Sequence, residues 1–183
     1  MEQPTLVTAR LLLRPFALSD APDVQRLAGA PEVTDTTLNL PHPYEVSDAE
    51  QWIGSQPARF ESGSRIAYAI TRRTDGVLLG AISLMEVSAR HRRAELGYWL
   101  GVPFWNQGYM TEAAAALVNY GFSELGLHKI TAAHFTRNPA SGRVMQKIGM
   151  RQEGVQRQHV FKNGVFEDNA IYGLLAAERQ VRP

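Results

Sequence analysis

The sequence contains no cysteine. That absence removes a thiolate nucleophile, a disulfide framework and any cysteine-ligated metal, and it fits a reducing compartment. An excess of either charge is also missing. Nineteen Lys and Arg stand against 18 Asp and Glu, for a net charge of +1, which argues against a nucleic-acid binder that works by mass electrostatics, though a local basic patch stays open. No apolar run approaches the ~18 residues of a membrane span. The opening residues, Met1-Glu2-Gln3-Pro4-Thr5, are polar and acidic, unlike a signal peptide. The five histidines lack the close spacing of a metal site. What is left is 183 residues with 44% hydrophobic and 20% charged content. That size and balance suit a single soluble domain spanning residues 1–183, cytoplasmic by default, with no metal, no nucleic acid and no membrane among its partners.

Local patterns then supply the elements. Residues 10–16 predict a first strand that stops near Pro15. Ser19-Asp20 offers an N-cap to a helix carrying Ala21, Val24, Leu27 and Ala28 at helical spacing. Residues 30–45, rich in Thr and Pro, predict loop. Ser47-Asp48-Ala49-Glu50 matches a capping box, and Pro57 should kink or end the helix it opens. Strands over 66–71 and 77–87 flank Asp75-Gly76, a favoured hairpin turn. Residues 93–100 alternate, with Leu96, Tyr98 and Leu100 on one face and Glu95, Gly97 and Trp99 on the other. A helix follows from about Thr111 to Leu125, then a strand over 129–135. Asn138 caps and Pro139 starts the next helix, which Gly149 ends. Asn163-Gly164 predicts a closing type I′ hairpin. The alternation of strands and helices gives an α/β (α+β) domain with a mixed sheet flanked by helices.

Two of these helix starts matter most. One follows the loop Asn106-Gln107-Gly108-Tyr109-Met110-Thr111, and the other opens at Asn138-Pro139-Ala140-Ser141. A helix N-terminus gathers unpaired N–H groups and the positive end of the macrodipole, so it favours phosphate or another anion. Two such ends in one domain point to a phosphorylated ligand with chemistry beside it. At Gly108 a side chain would obstruct the approach of backbone N–H groups.

The stretches Glu95-Leu96-Gly97-Tyr98-Trp99-Leu100, Trp105 to Ala113, Asn138-Pro139-Ala140-Ser141 and Lys147-Ile148-Gly149-Met150 resemble the GNAT N-acetyltransferase superfamily. Leu11 to Pro15 and the Asn163-to-Asp168 hairpin fit its ribosomal-protein-alanine N-acetyltransferase branch. The resemblance covers nearly the whole chain. It implies a single-domain fold whose central mixed, mostly antiparallel sheet splays between the fourth and fifth strands, 93–100 and 129–135. It also implies acetyl-CoA as cosubstrate and transfer of acetyl to a primary amine, which is a protein N-terminus, ribosomal or other, or a small molecule such as a polyamine.

The resemblance implies site residues as well. Asn106, Gln107, Gly108, Tyr109, Met110 and Thr111 would hold the CoA pyrophosphate, with Trp105 and Met110 departing from the family pattern of a basic and a small residue. Asn138 would touch the pantetheine arm, and Ser141 would hydrogen-bond the CoA sulfur and protonate the departing thiolate. A backbone N–H near Trp99 or Leu100 would polarise the acetyl carbonyl. Glu95, on the strand bordering the gap, is the candidate base, since an amine is mostly protonated at neutral pH; pairing with Arg93 or Arg151 is its ordinary explanation. Asp168 is the second candidate carboxylate, and His134 and His159 are further candidates for proton relay. Arg143 and Lys147 are candidates for the CoA phosphates. Without cysteine, direct attack in a ternary complex is the natural route. A CoA-binding sensor without turnover, or a transferase of another acyl group, stays open, as does a monomer or a homodimer.

Overall fold

A computed structural model describes residues 2–179; Met1 and residues 180–183, which the single-domain expectation included, lie outside the described residues. Eight strands form one sheet: β1 (Leu6–Val7), β2 (Leu11–Arg14), β3 (Ile66–Arg72), β4 (Leu78–Ser88), β5 (Arg93–Leu100), β6 (Lys129–Phe135), β7 (Arg151–Lys162) and β8 (Val165–Leu175). Their order is β1-β2-β3-β4-β5-β6-β8-β7. Every neighbouring pair is antiparallel except β5 and β6. Six helices connect them: α1 (Ala21–Ala28), α2 (Pro31–Thr36), α3 (Val46–Gly54), α4 (Gln56–Glu61), α5 (Tyr109–Ser123) and α6 (Pro139–Lys147).

The parallel pair is short. β5 and β6 are in register only from Arg93↔Lys129 through Glu95↔Thr131. Beyond that point β5 stays paired with β4 to Leu100, and β6 stays paired with β8 to Phe135. The two strands therefore diverge, and the backbone groups of residues 96–100 that face β6 have no strand partner there. This is the expected splay.

Alternation along β5 sends its residues to two cores. Leu96 and Leu100 enter the larger core with Leu84, Leu117, Val118 and Met145, under α5 and α6. Trp99 packs on the other face with Leu27, Tyr44 and Ile53, under α1 and α3.

Several local expectations are corrected. The 30–45 segment is not all loop: Pro31 opens α2 at a position where a missing N–H is harmless. Asp20 precedes α1, but its carboxylate is taken by a two-pronged bond from Arg14, at 2.7 and 2.8 Å, and by the Ala17 N–H. A charged guanidinium is a stronger partner than a helix N–H. The N-cap of α3 is Glu45, whose N–H is accepted by the Asp48 carboxylate at 2.9 Å, so the box is Glu45–Asp48, two residues before the expected Ser47–Glu50. Asn138 precedes α6 without a side-chain cap bond. On α6, Gly142 and Met145 point inward and Ala140 is exposed.

Other signals hold. Pro57 lies in the first turn of α4, just after the chain breaks between α3 and α4. Asn163 and Gly164 both have positive φ, 51° and 82°, as a type I′ turn requires. α6 ends with Gly149 at φ 90°, where the Gly149 and Met150 N–H groups bond back to Gln146 and Met145, the double bond of a Schellman end.

Candidate active site

The diverging strands open a cavity of about 940 Å³ that passes from one face of the sheet to the other. Its donor side is formed by β5, β6 and the N-termini of α5 and α6. Its acceptor side is formed by residues 36–41, Tyr44, α3 and α4. Among the predicted residues it brings together Glu95, Trp99, Leu100, Asn106, Gly108, Tyr109, Met110, Thr111, Asn138 and Ser141, and it also reaches His134, Arg143 and Lys147.

The start of α5 is held by contacts distant in sequence. Gly108 has φ 78°, a left-handed conformation that glycine adopts without strain. The N–H groups of the first turn, Tyr109 to Thr111, have no partner within the helix. Tyr109 and Met110 are buried in the core, so they would serve a ligand through backbone rather than side chain. Gln107 does not line the cavity: its side chain donates to the Pro103 carbonyl at 2.9 Å. Trp105 donates its indole N–H to the Leu100 carbonyl at 2.8 Å, tying the loop to the end of β5.

Arg10 brings a further positive charge to this loop, one that no local sequence signal marks. It donates to the Gln107 carbonyl at 3.0 Å, lies 4.5 Å from the Tyr109 ring centre and pairs with Glu112 at 2.7 Å. Glu112 also accepts from the Thr8 hydroxyl. Burial opposes ionisation of Glu112, but the Thr8 and Arg10 bonds outweigh it and hold the carboxyl below its usual range. Glu112 thus fastens the loop rather than facing the cavity.

Ser141 sits half-buried on the first turn of α6, and its hydroxyl meets the Tyr98 hydroxyl at 2.9 Å. Tyr98 also donates to the Ser141 carbonyl at 3.1 Å. Burial pushes the Tyr98 phenol up to about 12, with the Ser141 bond partly opposing it, so Tyr98 stays a neutral donor across the working pH range. Tyr98 was assigned to the core face by alternation, and nothing local distinguishes it from a packing tyrosine.

Glu95 lies on the opposite face of β5 from Tyr98. It is half-buried and makes no salt bridge among the described residues. Arg151 pairs instead with Glu178. Burial raises the Glu95 pKa, and the nearby Glu86 charge raises it further. A carboxyl so placed binds a proton more readily than a solvated one.

Asp168 is not brought to the cavity. Its carboxylate accepts the Gln158 N–H at 2.7 Å, inside a β7 irregularity where Gln158 has φ 50°. It satisfies a bulge. His159 is exposed and also lies outside the cavity. His134 does line it. Its Nδ1 is 2.8 Å from the Phe135 carbonyl, while Nε2 is buried against Gly142 without a partner among the described residues. Asn138 lines the cavity with its amide unbonded by the helix. Among the described residues no cluster of acidic or histidine side chains could hold a metal ion.

A parallel strand pair that separates after three residues, with two helix N-termini at its mouth, is the architecture that the resemblance to the acyl-coenzyme A-binding GNAT class implies. The comparisons name it: residues 10–151 match the acetyltransferase (GNAT) domain, and the chain belongs to this family. The uncharacterized N-acetyltransferase YoaA of Bacillus subtilis is 35% identical over 94% of this chain and 97% of its own. Two solved structures share the fold. RimJ of Mycobacterium smegmatis, in complex with CoA-disulfide, has a TM-score of 0.87 at 22% identity, covering 96% of this chain and 89% of that one. The ribosomal-protein-S5-alanine acetyltransferase of Vibrio fischeri has a TM-score of 0.86 at 17% identity, covering 97% and 99%. The chain is an N-acetyltransferase that uses acetyl-CoA.

Proposed function

We propose that the chain acetylates the N-terminal amine of a peptide or protein by direct attack in a ternary complex. The observation that carries this reading is that Glu95 and Ser141 reach one cavity from opposite faces of β5. A base on the acceptor side and a proton donor on the donor side suit a single transfer with no covalent enzyme intermediate.

Bound acetyl-CoA supplies the thioester: the amine nitrogen forms the new C–N bond and the C–S bond breaks. The N–H groups of Tyr109 to Thr111 hold the pyrophosphate, and Arg143 and Lys147 meet its charge. The free Asn138 amide holds the pantetheine arm. Glu95 takes a proton from the acceptor amine, directly or through water. Ser141 gives a proton to the departing sulfur as Tyr98 passes its own to Ser141; the phenolate left on Tyr98 is reprotonated from solvent, which balances the proton that Glu95 returns to water. In this reading the protein works in the cytosol, as a monomer or a homodimer.

The test measures CoA release by the purified protein against N-terminal peptides, spermidine, free amino acids and an aminoglycoside. Peptide N-termini should give the highest kcat/KM. A small amine that exceeds every peptide at least tenfold would replace the acceptor assignment. CoA binding without turnover on any acceptor would make the protein a sensor.

A further inference from the structure

The acceptor side carries two arginines that the transfer chemistry does not use. Arg59, on α4, and Arg65, one residue before β3, both line the cavity. They are joined by a backbone bond from the Arg65 N–H to the Arg59 carbonyl at 3.3 Å. Among the described residues neither guanidinium has a salt bridge or a side-chain hydrogen bond. Arg65 is half-buried. Its burial and then the Arg59 charge disfavour the protonated form, while Glu86 favours it without forming a salt bridge. A partly desolvated guanidinium beside a second one lacks the anion that would stabilise it.

Strand register gives the distance to the chemistry. Ile66 is opposite Leu84, and Leu84 is opposite Leu96. Arg65 therefore stands level with Met85, which pairs with Glu95. Residues opposite one another share a face of the sheet, so Arg65 and Glu95 lie on the acceptor face two strand spacings apart, ~10 Å. An extended peptide advances ~3.3–3.6 Å per residue. With the amine at Glu95, a side chain two or three residues into the acceptor meets the arginines.

We infer that Arg65 and Arg59 form an anion subsite for a carboxylate at the second or third residue of a peptide acceptor. This rests on the N-terminal reading above and narrows it to acidic N-termini. Among the described residues Asp48 is the other carboxylate besides Glu95 that lines the cavity, and Glu86 is the one whose charge acts on Arg65. Asp48 is occupied by the Glu45 N–H, and Glu86 sits at the β4 bulge outside the cavity lining.

The experiment uses tetrapeptides beginning with Ala that carry Glu, Gln or Lys at position two or three, with kcat/KM measured for the wild type, R65Q, R65K and the R59Q/R65Q double variant. Binding of the acidic peptide and of inorganic phosphate to CoA-loaded protein is measured in parallel by calorimetry. The wild type should prefer the Glu peptide over the Gln peptide by about tenfold or more, in the range of a charge-assisted bond pair. The double variant should lose that preference while keeping its KM for acetyl-CoA and its rate on the Gln peptide. R65K should retain part of the preference. Equal effects on all peptides, or a wild-type preference for Gln or Lys, would overturn the subsite. Acidic peptides that neither react nor bind while another amine is acetylated would also overturn it. Should phosphate bind through the arginines and the acidic peptide not, the anion is a phosphate and the carboxylate assignment fails. If no acceptor releases CoA but the acidic peptide binds in an arginine-dependent way, the catalytic reading fails and the subsite stands.

Discussion

The donor side of the cavity is walled by the first turns of α5 and α6, which continue into helices packed through Ala113, Ala114, Leu117 and Met145. The acceptor side is walled by residues 36–41, α3 and α4, and much of it is held by single charges reaching across the chain. Arg137 joins Asp35 to Glu167, and Lys162 on the closing hairpin donates to the Thr37, Leu38 and Leu40 carbonyls. Aliphatic packing is tolerant of salt and pH, whereas a few charged ties set a shape that a few substitutions can change. In the proposed reading one side is preorganised for a constant ligand, acetyl-CoA, and the other can be retuned for a new acceptor without disturbing the first.

If that division holds, substitutions should separate cleanly. The largest effect is expected for Gly108→Val, where a β-branched side chain would have to adopt φ 78° at the phosphate cradle. Acetyl-CoA affinity should fall about a hundredfold or more, the loss of several charge-assisted bonds, with the fold largely intact; unchanged affinity by calorimetry would remove Gly108 from the site.

Next is Glu95→Gln. The kcat/KM should fall about a hundred- to a thousandfold near pH 6 and recover as pH approaches the ~8 of an N-terminal amine. Because burial and Glu86 raise the Glu95 pKa, the acidic limb of the wild-type profile should lie above the ordinary carboxylate range, and Glu86→Gln should move it down. The same shift has a stability consequence. A raised carboxyl pKa means the folded state holds the proton more tightly, so stability falls as pH rises from the unfolded pKa through the folded one. Glu95→Gln should therefore raise Tm at neutral pH and leave it unchanged in acid, and a loss of Tm at pH 7 would show that the carboxylate is structurally needed.

Ser141→Ala should lower kcat by about ten- to a hundredfold with little change in the KM for acetyl-CoA, since its proton matters only as sulfur departs. Tyr98→Phe should cost less, about tenfold, because Ser141 can then be refilled by water. If Tyr98→Phe exceeds Ser141→Ala, the phenol itself is the donor. The smallest effect is expected for Lys162→Met. It should raise acceptor KM severalfold, leaving the KM for acetyl-CoA alone, and a change in both constants would dissolve the division.

The donor side was legible in the sequence because it is encoded locally. Gly108, Pro139 and Gly149 each mark a turn or helix end within a few residues, and alternation along 93–100 placed Glu95 opposite Leu96. The missed features depend on residues far apart. Tyr98 and Ser141 are 43 positions apart, and Arg10 reaches Gln107 across 97. The sequence leaves Asp168 between binding an amine and satisfying a loop, because the β7 bulge that takes its carboxylate exists only once β7 and β8 are in register. α2 was missed because Thr34, Asp35 and Thr36 are weak helix formers, and Pro31 marks a helix start only when a helix is already suspected.

The three-residue contact between β5 and β6 has a consequence for the protein at rest. Amides along the 96–100 half of β5 that point toward β6 exchange with water until a ligand backbone lies beside them. In the proposed reading acetyl-CoA, whose pantetheine carries amide groups, closes that seam as a strand would. The folded chain is then stabilised by RT ln(1 + [L]/Kd), which is ~2.7 kcal/mol at a hundredfold excess over Kd. On that reading the abundance of acetyl-CoA around the protein would bear on its lifetime as well as its rate. A starved cell would hold a looser enzyme, with amide exchange and proteolysis concentrated along one seam of the sheet.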